Sequence, residues 1–142
     1  MASFWLLLFF GLPFFGTLWA WQDAHGKIRG DAVRYAQEVV VPALESKDAA
    51  LLTEETRVYA QKTFSRAFYD QLLSSNGRLT SKEKLVATKS YTQEQDDMMW
   101  QYAEVDFPAR FESGPRRVHL KLSRKTMEPR WRIAEITVKE GS

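Results

Sequence analysis

Apolar and polar positions follow three rhythms along this chain. From Met1 to Gln22 no side chain is charged, and the run from Phe4 to Trp21, FWLLLFFGLPFFGTLWAW, has no polar face at any period. From Ala32 to Ser46, Val33, Ala36, Val40, Ala43 and Leu44 recur at helical spacing around Pro42, which predicts a helix that kinks or divides there. A second helical stretch runs through Ala49, Ala50 and Leu51. A third is predicted from Glu55 to Ser74, with Val58, Phe64, Phe68 and Leu72 on one face. Ser75-Asn76-Gly77 supplies its stop, because Gly77 takes left-handed backbone at little cost.

After Gly77 the period becomes two. Ala103, Val105, Phe107, Ala109 and Phe111 alternate with Glu104, Asp106, Pro108 and Arg110, a half-buried strand in which Pro108 argues for an edge or a bulge. Val118, Leu120 and Leu122 alternate with Arg117, His119, Lys121 and Ser123 beyond a turn at Ser113-Gly114-Pro115. A second turn at Met127-Glu128-Pro129 leads to Trp131, Ile133, Ile136 and Val138, whose parity slips and so predicts a bulge between Ile133 and Ile136. A further strand falls in residues 85–91, and residues 93–101 extend it or the one that follows. Helices first and hairpins after is an α+β order, with helices packed on one face of a curved antiparallel sheet.

The apolar opening reads as a transmembrane helix. Eighteen residues span roughly 27 Å as a helix, close to the hydrocarbon thickness of a bilayer. Trp5 at one end and Trp19 with Trp21 at the other match interfacial belts. Pro13 predicts a break near the middle, tolerated in lipid where the freed carbonyl finds another partner. No basic residue precedes the run, and Leu18-Trp19-Ala20 puts a bulky side chain where a cleavage site needs a small one, so the segment fits a retained anchor better than a cleaved signal. The resulting division is an anchor or uncleaved signal at 1–22, a flexible connector at 23–30 carrying His25, Gly26 and Gly30, and an α+β domain at 31–142 opened by Asp31 as N-cap.

Composition narrows the chemistry. The chain has 142 residues, a net charge of +2 and no cysteine. That length gives one folded domain, the charge gives no polyelectrolyte character, and the missing cysteine removes disulfides, thiolate metal sites and cysteine nucleophiles. Residues 92–112 carry six acidic side chains and one basic, whereas residues 115–139 carry eight basic and two acidic. The simplest consequence is an acidic strand paired with a basic one on the outer face. Asp106 and His119 fall on that outer parity, and the inward positions are all apolar, so the cup between helices and sheet shows no general base. Glu94, Asp96 and Asp97 lack the alternating spacing of a calcium loop. Trp100 and Tyr102, on the outer parity, form with Met98, Met99, Arg117 and Lys121 a candidate partner surface.

The helical half AVRYAQEVVVPALESKDAALL…FYDQLL, the NGRL break at Gly77-Arg78-Leu79, the strand pair YAEVDFPARFESGPRRVHLKL with its Phe111-Glu112-x-Gly114 turn, and the closing WRIAEITV with Trp131-x-Ile133 resemble the nuclear transport factor 2-like, or cystatin-like, superfamily. They are similar in particular to its small bacterial extracytoplasmic members with an N-terminal signal or anchor. These motifs set shape and are not catalytic signatures. In superfamily enzymes such as those similar to ketosteroid isomerase, the resemblance implies an Asp, Tyr or His in the cup.

Together these readings predict a non-catalytic, membrane-anchored interaction domain: an accessory or assembly subunit of a bacterial membrane protein complex, without cofactor, metal or nucleic acid. The alternatives are a small apolar-ligand binder using the cup and an isomerase- or dehydratase-type enzyme. The expected setting is single-pass in the inner membrane. Lys27, Arg29 and Arg34 after the run favour a cytoplasmic domain by the positive-inside rule, whereas the resemblance implies a periplasmic one, the side taken here.

Overall fold

The computed structural model describes residues 25–141. The anchor residues Trp5, Pro13, Trp19 and Trp21 lie outside the described residues. Among the described residues no helix is long and apolar enough to cross a membrane.

Residues 25–45 form α1, which is helical six residues before the expected start. Residues 25–30 are therefore not a flexible connector: Ile28 is buried in the core, and His25 Nδ1 lies 3.2 Å from Ser90 Oγ. Asp31 is not the cap but sits within the helix, its carboxylate 3.5 Å from Arg124. Pro42 neither divides nor stops α1. The turn before it, Ala36–Val40, widens to a π-helix in which the Val41 amide donates to the Ala36 carbonyl. That wider turn displaces the carbonyl that the proline ring would otherwise strike, and Pro42 then begins an ordinary α-helical segment, Val41–Glu45.

Helix α2, Ala49–Glu55, is capped by Asp48, whose carboxylate accepts the Leu51 amide. The predicted third helix is shorter than its pattern. Thr56 is extended, makes an isolated parallel bridge with Ile133, and gives its hydroxyl hydrogen to the Leu52 carbonyl. A single 3₁₀ turn follows at Val58–Ala60, and helix α3 begins only at Arg66, capped by Ser65, and runs to Asn76. Val58, expected on the buried face, is 83% exposed.

The sheet is antiparallel throughout its strand pairs. Strands β1 (Leu79–Lys82) and β2 (Val86–Gln95) share one side of the long strand β3 (Met98–Phe111). On its other side come β4 (Gly114–Lys125) and then β5 (Arg132–Glu140). Pro108 is thus in the interior of the sheet rather than on an edge strand. It is accommodated because it faces the break between β1 and β2, where its carbonyl accepts the Glu83 amide. The bulge expected on the last strand is present: Lys121 pairs with Glu135 and Leu122 with Ile133, leaving Ala134 as the extra residue. A second bulge places Thr88 between the pairs Ala87–Val105 and Lys89–Glu104. Bulges bend and twist the strands that carry them, consistent with a curved sheet.

The predicted inward set is buried as read. Ala103, Val105, Phe107, Val118, Leu120 and Leu122 are wholly inaccessible, packed with Leu44, Leu52, Tyr69 and Ile133 into one core. Burial of each large side chain there contributes roughly 1.5–3 kcal/mol.

Two stretches far apart in sequence meet where α3 hands over to the sheet. Gly77 has φ 77° and ψ −163°, and a Cβ on it would lie 2.7 Å from Glu112 Cβ. The Glu112 carboxylate accepts the Arg78 amide at 2.6 Å, and the Glu112 amide donates to the Arg78 carbonyl. Arg116 donates to the Asn76 side chain from the start of β4. The NGRL break and the FESG turn are therefore one junction that fixes how the helices enter the sheet.

Candidate functional site

The outer face of the sheet is built by the even-numbered residues of β3 and the odd-numbered residues of β4. Their pairing follows the charge pattern: Asp106 faces His119 and Glu104 faces Lys121. His119 is half-buried rather than freely solvated. Its Nδ1 lies 2.8 Å from Asp106 and its Nε2 3.2 Å from Glu104. Thr88 adds a hydrogen bond to Asp106. Asp106 and His119 border a cleft of about 250 Å³ with Arg117, Thr137 and Lys139. Each ring nitrogen of His119 already faces a carboxylate, so the group is a polar clamp across β3 and β4.

A different surface forms at the Met98 end of the same face. Tyr91 and Tyr102 stack with ring centroids 5.0 Å apart and planes 16° apart. Cations cover the rings: Arg57 lies 4.8 Å and Lys125 5.4 Å from the Trp100 ring, Lys121 lies 5.3 Å from Tyr102, and Lys89 lies 6.0 Å from Tyr91. Tyr102 is buried by this packing and Trp100 half-buried. Burial lowers the pKa of Lys121, but the Tyr91 hydroxyl and then Glu135 and Glu104 outweigh it, holding the ammonium above the usual lysine value.

Arg57 reaches this face because α2 ends at Glu55. The chain then passes the edge of β5, where the Arg57 amide donates to the Ile133 carbonyl. The guanidinium donates to Ser123 Oγ and to the Ser123 carbonyl, and forks onto Glu128 at 2.8 and 3.2 Å. The hydrogen bonds from Arg57 hold the Glu128 carboxyl below its ordinary pKa.

Most of the exposed apolar side chains belong to segments that meet at this end of the sheet. Val58 and Tyr59 follow Arg57, and Met98 leads into Trp100 on β3. The Met99 carbonyl accepts both the amide and the hydroxyl of Thr126, which brings Met127 alongside. Among the described residues, five of the six large apolar side chains left exposed are Val58, Tyr59, Met98, Met99 and Met127; Val86 is the sixth.

Of the surface expected from sequence, Met98, Trp100, Tyr102 and Lys121 share this end of the outer face. Met99 has the opposite parity and Arg117 does not belong with them. Arg117 pairs with Pro108, whereas Lys125 pairs with Trp100, and eight residues of strand separate the two rungs by roughly 27 Å. Sequence reading missed Arg57, Val58 and Tyr59, because helical spacing assigned Val58 to the core. It also missed Met127, in a turn, and Tyr91, whose stacking depends on the β2–β3 register.

One carboxylate is buried after all. Glu55, 2% exposed at the end of α2, binds Arg130 through one oxygen and Arg132, at 3.0 Å, through the other. The Tyr35 hydroxyl lies in the field of Glu55 without a well-formed hydrogen bond, and burial first and Glu55 second push its pKa far above the ordinary tyrosine value. Each oxygen of Glu55 binds a guanidinium group, so the carboxylate ties α2 to the start of β5. A cleft of about 600 Å³ beside it is lined by charges of both signs, Glu54, Arg57, Glu128, Arg130 and Arg132. No protein-family model matches the chain, and no curated protein matches it.

Proposed function

We propose that this chain is a non-catalytic interaction domain, held at a bacterial inner membrane by its apolar N-terminal segment and serving as an accessory or assembly subunit of a membrane protein complex. The observation that carries this reading is that five of the six exposed large apolar side chains among the described residues belong to segments meeting at one end of the sheet, beside rings covered by cations. Grouped exposed apolar side chains are a feature of partner-binding sites. The packed cup supports it further. Void large enough for a water molecule would leave accessible surface on the residues around it, and the inward residues of β3 and β4 have almost none. Among the described residues a small apolar ligand has no room between these side chains without rearranging the core. The α+β order, the helices on one face and the NGRL–FESG junction support kinship with the nuclear transport factor 2-like superfamily. That kinship favours the periplasmic side for the domain.

Extraction of the full chain in mild detergent, followed by affinity purification and mass spectrometry, tests the reading. A membrane protein recovered in fixed proportion supports it. A chain that stays in the soluble fraction, alone, refutes it. Alkaline phosphatase fused to the C-terminus reports the side: an active fusion is expected, and an inactive one places the domain in the cytoplasm.

A further inference from the structure

The arginines near the aromatic end of the sheet are already paired: Arg57 with Glu128, Arg124 with Asp31, and Arg130 and Arg132 with Glu55. The lysines are not. Among the described residues Lys89, Lys121 and Lys125 have no carboxylate within 4.0 Å, although each lies over a ring. Glu104 and Glu135 act on Lys121 from farther off and Glu128 on Lys125, but all three ammonium groups stand on an aromatic floor without a close ion pair, on the strands that also carry the exposed Met98.

We infer that this surface binds an acidic segment of a partner protein in which carboxylates alternate with apolar or aromatic side chains; the inference rests on the interaction-domain reading and names the chemistry of its partner. Carboxylates would take the three ammonium groups, and the apolar side chains would take the methionine and Val58 rim, whose flexible thioethers adapt to varied shapes. Two other anionic partners fit less well. A nucleic-acid strand needs free ring faces for its bases. Here Trp100 is covered by Arg57 and Lys125, and Tyr91 and Tyr102 stack on each other. An anionic bilayer is a broad surface. It would have to approach the neighbouring β2–β3 turn, where Glu94, Asp96 and Asp97 repel it. A peptide can lie across the lysines and leave that turn aside.

The test uses the full chain in detergent and a short labelled peptide alternating glutamate with phenylalanine and leucine, read by fluorescence anisotropy. Comparison probes are the same peptide with lysine for glutamate, phosphatidylglycerol vesicles and an oligothymidine strand. The acidic peptide binds, weakens as salt rises, and loses roughly tenfold in affinity in the Lys89→Gln/Lys121→Gln/Lys125→Gln triple variant. Lys125→Gln alone, with the melting temperature checked, gives a smaller loss in the same direction and guards against misfolding of the triple variant. Equal binding by the triple variant overturns the inference, as does equal binding of the basic peptide. So does lysine-dependent binding of vesicles or oligothymidine without the acidic peptide. The two proposals fail separately. If the native partner co-purifies equally with wild type and triple variant, the lysine surface is wrong and the interaction-domain reading stands. If no partner co-purifies, that reading falls whatever the peptide does.

Discussion

Replacing Gly77 by alanine puts the helix–sheet junction under a load that can be worked out from its geometry. At φ 77° and ψ −163° the backbone occupies a region open almost only to glycine, and holding another residue there costs of order 1–3 kcal/mol. The new Cβ would also lie 2.7 Å from Glu112 Cβ, an atom fixed to the backbone of the β3–β4 turn, so relief requires moving that turn. Moving it loosens the 2.6 Å bond from the Arg78 amide to the Glu112 carboxylate; a hydrogen bond to a charged group is worth about 1.5–3 kcal/mol, less here because the site is exposed. Alanine returns roughly 0.4–1 kcal/mol by restricting the unfolded chain. The net expectation is a loss of about 2–4 kcal/mol, a fall in melting temperature of about 3–5 °C per kcal/mol for a domain of this size. Urea denaturation with thermal melting measures it. Glu112→Gly deletes both the clashing Cβ and the carboxylate that holds the Arg78 amide, so in a Glu112→Gly background only the backbone strain remains to be met, and Gly77→Ala should cost less there than in wild type. Gly77→Ala within about 0.5 kcal/mol of wild type refutes the account.

Glu55→Gln keeps the shape of a buried side chain but removes the charge that holds Arg130 and Arg132; because both arginines reach solvent, the expected loss is roughly 1–3 kcal/mol by denaturant titration, and a neutral result shows that the clamp is dispensable. Glu128 has a lowered folded-state pKa, so its stabilising contribution is full above its ordinary value of 4.5 and is lost as pH falls below it. Glu128→Gln should therefore melt below wild type near neutral pH and converge with it in acid; a constant gap would exclude the Arg57 hydrogen bonds as the cause. Tyr69 is buried, its hydroxyl donating to Thr56 at 2.6 Å, and its pKa is pushed up to about 12 from 10.0. The unfolded chain ionises first, so stability falls as pH rises from 10.0 toward 12, and Tyr69→Phe should flatten that alkaline slope in melting curves despite losing the hydrogen bond.

The sequence by itself determined the parity of β3 and β4, and with it the inner core and the outer charged face. Strict alternation leaves each strand one way to bury its apolar side. It likewise predicted a bulge between Ile133 and Ile136, because the two cannot both face inward without an extra residue between them; the register puts it at Ala134. The α+β order followed from the change of period at Gly77. Tertiary structure decided what local pattern could not. Pro42 reads as a break, yet a π turn admits it, since a wider turn with packing on both sides costs less than ending the helix. Val58 reads as core, yet it is exposed, because Thr56 ends α2 and Arg57 is drawn to Ser123 and Glu128, residues more than sixty positions away. The candidate surface divides the same way. Met98, Trp100, Tyr102 and Lys121 share an end because strand parity and register put them there. Arg57, Tyr59 and Met127 join them only through a chain crossing and a turn, and such long-range contacts leave no periodic trace in the sequence.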